Sequence, residues 1–120
     1  MARILIVEDN PQNMKLAVLV LERAGHEILQ ANDAVTGIGL AKSCRPDLVL
    51  MDIQLPGMDG LTATRTLKSE ASTAHIKIIA LTAFAMKGDE KKMLEAGCDG
   101  YVSKPIRHNE FLKTVVTALS

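Results

Sequence analysis

The chain lacks net charge: fourteen Lys and Arg balance fourteen Asp and Glu. Without an overall field, nothing draws it to nucleic acid or anionic lipid unless charge is concentrated locally, and no basic patch stands out. Cysteine is scarce. Cys44 and Cys98 lie far apart in no CxxC pattern, so they read as two reduced, partly buried thiols of a cytoplasmic protein. His26, His75 and His108 are equally scattered, and no transition-metal ligand spacing appears. Only four prolines and eight glycines interrupt the chain, which excludes fibrous and low-complexity architectures. Long apolar runs are missing too. The first, Ile4-Leu5-Ile6-Val7, is stopped by Glu8-Asp9 and is too short for a signal peptide or a membrane span.

What is present is the composition of a globular domain, 48% hydrophobic and 23% charged over 120 residues. Scaling rules give a folded area of roughly 6,300 Å² against roughly 19,000 Å² unfolded, enough burial for a core without metal or disulfide staples. One domain over residues 1–120 is expected, with no linker, no internal repeat and no room for an attached effector domain.

Short apolar runs recur at Ile4 to Val7, Ile28 to Ala31, Leu48 to Met51, Ile76 to Leu81 and Tyr101-Val102. Helical segments lie between them. Asn10-Pro11 starts one that runs to Arg23 before Gly25, and Asn32 or Asp33 caps one that reaches Ser43 and closes at Arg45-Pro46. Gly60 to about Lys68, Lys87 to Ala96 and Arg107 to Leu119 complete the set. The last is the clearest, with Phe111, Leu112, Val115, Val116 and Leu119 spaced along one face. Strands that are continuously apolar, alternating with helices, predict a parallel sheet covered on both faces: an α/β fold built as a three-layer α/β/α sandwich.

In such a sheet the ligand site lies beyond the carboxyl ends of the strands. Those ends carry Glu8-Asp9, Asp52, Thr82-Ala83 and, after the fifth strand, Lys104-Pro105. Converging carboxylates repel, a pair about 5 Å apart by roughly 3 kcal/mol at an effective dielectric near 20. A cation must offset this. Lys104 supplies one charge, and an oxygen-only ligand set favours a hard divalent ion such as Mg²⁺.

The segments Ile4-Leu5-Ile6-Val7-Glu8-Asp9-Asn10, Leu48 through Gly60, Leu81-Thr82-Ala83 and Tyr101-Val102-Ser103-Lys104-Pro105, in this order and spacing, resemble the receiver domain of two-component response regulators, the CheY-like family. The resemblance covers essentially the whole chain. Thr82 to Glu90 and Met51-Asp52-Ile53-Gln54-Leu55-Pro56 look like stand-alone regulators of the DivK type. The resemblance implies a doubly wound, flavodoxin-like sheet in the order 2-1-3-4-5. It also implies that Asp52 accepts a phosphoryl group from a sensor histidine kinase or a histidine phosphotransfer protein. Mg²⁺ would be held by Asp9, Asp52 and the carbonyl of Gln54, with Glu8 acting through a water. Lys104 and Thr82 would contact phosphoryl oxygens, joined by the backbone N–H groups of Ile53 and Ala83. Lys104-Pro105 resembles the family's cis-proline turn, which would aim the amine inward.

The resemblance further implies a switch in which Thr82 moves toward the phosphoryl group and Tyr101 rotates inward. The surface of the fourth helix, fifth strand and fifth helix would change with it and control protein targets, from a monomer or a phosphorylation-dependent dimer. Phe84, Met86 and Met93 are candidates for that surface. The chain would be a phosphoacceptor catalysing its own phosphorylation and dephosphorylation, not an enzyme with a separate substrate. Family members often carry two aspartates where this chain has Glu8-Asp9.

Other classes fit less well. Haloacid-dehalogenase-like phosphohydrolases need a second acid two residues after the nucleophile and then a threonine, where this chain has Gln54 and Pro56. Gly37-Ile38-Gly39 begins a nucleotide-binding GxG, but Lys42 stands where the third glycine belongs, so two small residues on a helix packed closely to the sheet are the simpler account. No P-loop appears. A degenerate receiver acting only as a docking module keeps the fold and drops the chemistry, but every site position carries a competent residue.

Overall fold

The computed structural model describes residues 2–83 and 87–120, the side chains of residues 87–89 excepted. Strands and helices alternate in it: β1 (Arg3–Val7), α1 (Pro11–Arg23), β2 (Glu27–Ala31), α2 (Ala34–Cys44), β3 (Leu48–Asp52), α3 (Gly60–Ser69), β4 (Lys77–Thr82), α4 (Lys87–Ala96), β5 (Gly100–Ser103) and α5 (His108–Leu119). The strands form one parallel sheet in the order β2-β1-β3-β4-β5. This is the three-layer sandwich expected from the alternation, in the doubly wound, flavodoxin-like order that the resemblance implies. The exposed area of 6529 Å² is close to that expected from chain mass.

The apolar strands are continuous because both of their faces are covered. Ile4, Ile6, Leu48, Leu50, Ile79 and Leu81 pack with Met14, Ala17 and Leu21 of α1 and Phe111 and Val115 of α5. Their neighbours Leu5, Val7, Val49, Met51, Ile78 and Ala80 point the other way, against Ala34 and Ala41 of α2, Ala63 and Leu67 of α3 and Met93 of α4. Edge strand β2 is less deeply covered, with Glu27 and Gln30 exposed, although Leu29 still packs on one cluster and Ile28 on the other.

Helix starts are set by short polar side chains that satisfy the first free N–H groups. Asn10 accepts from Gln12 N (2.9 Å) and Asn13 N (3.0 Å), Asp33 from Thr36 N (2.7 Å) and Asp59 from Thr62 N (2.8 Å). Of the two candidate caps for α2, Asp33 is the one used. Helix α1 stops before Gly25 (φ 93°), where a left-handed backbone favours glycine, and α2 stops at Arg45, which takes φ 46°.

Three expectations need correction. Only Gly37 packs closely on the sheet, where a Cβ would lie 2.7 Å from Val7 Cγ2; Gly39 is exposed with nothing near it. Val116 does not join the buried face of α5 but is 59% exposed, because the helix rests on the sheet through Phe111 and Val115 one turn apart. Met93 is a core residue, 2% exposed, and lines no outer surface, while Phe84 and Met86 lie outside the described residues.

Register does the positioning. Val7 pairs with Met51, Asp52 with Leu81 and Thr82 with Ser103. The residues that end or follow these strands, Glu8, Asp52, Thr82 and Lys104, are therefore brought to a single edge of the sheet.

Asp59 offers a test of the cap at the start of α3. The Thr62 backbone N–H, opposed by modest burial and helped by the Thr62 side chain, holds its carboxyl below the usual range. A depressed carboxylate stabilises the fold above its unfolded pKa and loses that contribution as pH falls through its folded value. Asp59→Ala is therefore expected to lose about 1 kcal/mol near neutral pH. The gap to the parent should narrow below about pH 4, as read from denaturant melts across pH.

Candidate functional site

The residue after β1, Glu8, and the last residue of β3, Asp52, are both buried acids, 1% and 2% exposed. Leaving a carboxylate there without a cation would be strongly unfavourable. Lys104 meets that need. Its Nζ lies 2.7 Å from Glu8 Oε1 and 3.1 Å from Asp52 Oδ2. Main-chain groups hold the other oxygens: Asn10 N–H donates to Glu8 Oε2 at 3.2 Å and Gln54 N–H to Asp52 Oδ1 at 3.0 Å. The chain reverses after β5 through a cis Lys104-Pro105 bond, as expected, and Lys104 N–H donates to the Thr82 carbonyl at 2.7 Å. Thr82 is itself 4% exposed at the end of β4, next to the exposed Ala83.

The electrostatics follow from burial and neighbours. Burial, then the facing Glu8 carboxylate, pushes the Asp52 carboxyl up to about 7 against the opposing pull of Lys104. Burial would raise Glu8 as well, but hydrogen bonds with Asp52, Lys104 and Asn10 N–H hold it below its ordinary value. Burial acts to lower Lys104, yet its two carboxylate partners keep it raised and therefore cationic. Of the acid pair, Asp52 is therefore the member that more readily takes up a proton when no further cation is present.

Asp9, exposed beside Glu8, brings a third carboxylate, and single oxygens of Glu8, Asp9 and Asp52 lie within 4.8 Å of one another. Three carboxylates and one ammonium leave two negative charges, which a divalent cation cancels. The donors are all oxygens. Charge and chemistry both fit a hard ion of the Mg²⁺ class.

The structure brings together Glu8, Asp9, Asp52, Gln54, Thr82, Ala83 and Lys104 at the carboxyl edge of the sheet. Ile53 stands apart. Its N–H donates to the Leu81 carbonyl at 3.0 Å, continuing the β3–β4 ladder, and so is not turned toward the pocket; the N–H that faces the Asp52 carboxylate belongs to Gln54. Tyr101, in β5 opposite Ala80, is half-buried against the cluster that contains Met93. Sequence reasoning missed Gly60. A Cβ there would fall well inside contact distance of the Asp52 carbonyl oxygen, 2.8 Å from its carbon and 2.9 Å from Ile53 Cα. The signal was the Asp59-Gly60 pair at a helix start, where a better helix former would otherwise be expected.

Comparison with known proteins identifies the family. The family model for the response regulator receiver domain matches residues 4–116. The polar-differentiation response regulator DivK of Brucella anthropi is 46% identical over 116 residues, covering 97% of this chain and 94% of that protein. The receiver domain of a sensor histidine kinase from Pseudomonas aeruginosa, solved with magnesium coordinated in its active-site cleft, superposes with a TM-score of 0.91. It is 34% identical and covers 98% of this chain and 97% of its own. A Vibrio cholerae chemotaxis protein, 24% identical with a TM-score of 0.94 over 99% of both chains, shares the fold.

The acid pair generates a prediction. An acid whose pKa rises on folding destabilises the native state above its folded pKa, and that penalty disappears below its unfolded pKa. In chelator-treated buffer Asp52→Asn, which removes the competing charge and leaves Glu8 paired with Lys104, should be more stable than the parent at pH 8. The gain is expected to be on the order of 2 kcal/mol. It should shrink toward pH 4, and an unchanged melting temperature at pH 8 would contradict the assignment.

Proposed function

The chain belongs to the response regulator receiver domain family, and on that premise we propose that Asp52 is its phosphoacceptor. The observation that carries the reading is one buried aspartate at a strand end, with Lys104 at 3.1 Å and two further carboxylates beside it. The chain works in two-component signalling. Its donor is a phosphohistidine on a sensor kinase or a phosphotransfer protein: an Asp52 oxygen forms the new O–P bond as the P–N bond breaks, and the imidazole leaves and takes up a proton from solvent.

Positioning and charge neutralisation supply most of such catalysis, since little covalent chemistry is asked of the protein. Asp9, Asp52 and the Gln54 carbonyl would hold Mg²⁺, with Glu8 acting through a water and as the second partner of Lys104. When bound, the ion would supply neutralisation of charge on the transferring group. Lys104 pairs with one phosphoryl oxygen, the Thr82 hydroxyl donates to another, and Ala83 N–H, on the exposed turn after β4, serves a third. Lys104 is already cationic and oriented by Glu8, so it need only exchange a carboxylate oxygen for a phosphoryl oxygen.

Output follows as a two-state change biased by new local charge. Thr82 moves toward the phosphoryl group, Tyr101 turns inward, and the α4–β5–α5 surface presents a different face to protein targets. Residues 1–120 act as one receiver unit. It works through protein contact in the cytoplasm, and its chemistry is the gain and loss of its own phosphoryl group.

Intact-mass measurement after incubation with acetyl phosphate tests the reading. One phosphoryl adduct is expected with Mg²⁺, none with excess chelator and none in Asp52→Asn. The absence of an adduct in the folded parent would leave a phosphorylation-independent docking module. Among the ligands, Asp9→Ala should weaken Mg²⁺ binding about tenfold or more, and Glu8→Gln much less, because Glu8 is already satisfied by Lys104 and Asn10. Equal losses in a metal titration would overturn the ligand assignment.

A further inference from the structure

We propose that Gly60 is a positioning residue for the metal site, an inference that rests on the Mg²⁺ reading above. The connection from β3 to α3 carries Gln54, whose N–H holds Asp52 Oδ1 at 3.0 Å and whose carbonyl belongs to the ligand set. Both sides of that short loop are pinned. At its far end the first residue of α3 lies directly on the acceptor strand: Gly60 N–H donates to the Ile53 carbonyl at 3.0 Å, and a Cβ would meet the Asp52 carbonyl carbon at 2.8 Å. In its middle Leu55 enters the core, only 8% exposed, among Met51, Ala63 and Ile76.

The atoms a Cβ would meet are backbone, not the end of a flexible side chain. Any side chain at position 60 must therefore push α3 away from β3 or displace the Asp52–Ile53 main chain itself. Either movement changes the separation between the Asp52 carboxylate and the Gln54 main chain, which is the span a cation must bridge. Gly37 is the natural comparison. Its Cβ would also crowd a strand end, but against the Val7 side chain at 2.7 Å rather than against backbone, so substitution there strains packing and leaves the ligand-bearing main chain in place.

The test is calorimetric titration of Mg²⁺ into the metal-free 120-residue chain, well below the melting temperature of each variant as followed by circular dichroism. Gly60→Ala is expected to weaken Mg²⁺ binding by about tenfold or more, in line with loss of groups that orient metal ligands. Leu55→Ala, which loosens the same loop without adding an atom, should shift it in the same direction. Gly37→Ala should lower the melting temperature while keeping the parent's affinity.

A folded Gly60→Ala that binds Mg²⁺ as the parent does, whatever its melting temperature, overturns the proposal and leaves Gly60 a purely structural residue. If Gly60→Ala does not fold, Leu55→Ala decides: weakened binding supports the proposal and unchanged binding overturns it. Equal weakening in Gly37→Ala also overturns it, since general strain would then suffice. A parent that binds no Mg²⁺ defeats both this inference and the metal reading, whereas a parent that binds Mg²⁺ but takes up no phosphoryl group defeats only the phosphoacceptor reading.

Discussion

Lys104 lies between two buried carboxylates, and the ends of β1, β3 and β5 meet around its ammonium group. Without it, Glu8 and Asp52 would be like charges facing each other in a low-dielectric pocket, at a large desolvation cost. With it, the pair is held but not neutralised. The remaining negative charge makes the site receptive to a divalent cation and, through the cation, to a phosphoryl group. The stability of the resting fold and its readiness to react are therefore two aspects of the same imbalance.

The sheet makes this arrangement possible by register rather than by special loops. Parallel strands end at the same edge: Val7 pairs with Met51, so Glu8 and Asp52 stand level, while Thr82 lies one step beyond the Asp52 partner Leu81 and Lys104 one step beyond the Thr82 partner Ser103. The apolar strand interiors are rigid and fully covered on both faces, so the polar residues that follow them inherit precise positions. The choice of glutamate at position 8 fits the same scheme. Its carboxylate reaches Lys104 at 2.7 Å while still accepting from Asn10 N–H, which leaves the exposed Asp9 as the acid free to face solvent.

Much of the molecule was legible before any coordinates. Pro11, Asp33, Gly25 and Arg45-Pro46 mark helix ends through local backbone chemistry, and the observed boundaries fall within a residue or two of those marks. The strand runs were legible because hydrophobic continuity over four or five residues has few other causes. The errors came where local signals do not carry the answer. Val116 matched the periodicity of its helix, yet whether it is buried depends on how α5 is rotated on the sheet. Gly37 and Gly39 looked equivalent, although only one of them faces Val7. The resemblance puts the Ile53 N–H at the site, but the ladder with β4 continues one residue further and takes it.

What the sequence determined by itself is the alternation of elements, the parallel sheet and the identity of the acidic and basic residues at the strand ends, because each follows from local periodicity and side-chain chemistry. Only the tertiary structure decided which of those groups touch, that Lys104 serves Glu8 as well as Asp52, and that Gln54 N–H rather than Ile53 N–H faces the acceptor. It also decided that Gly60 must be glycine, because its first-turn position in α3 abuts the main chain of a strand that ends eight residues earlier. Distances between groups far apart in the chain are set by how helices seat on the sheet, and no stretch of sequence read alone contains that information.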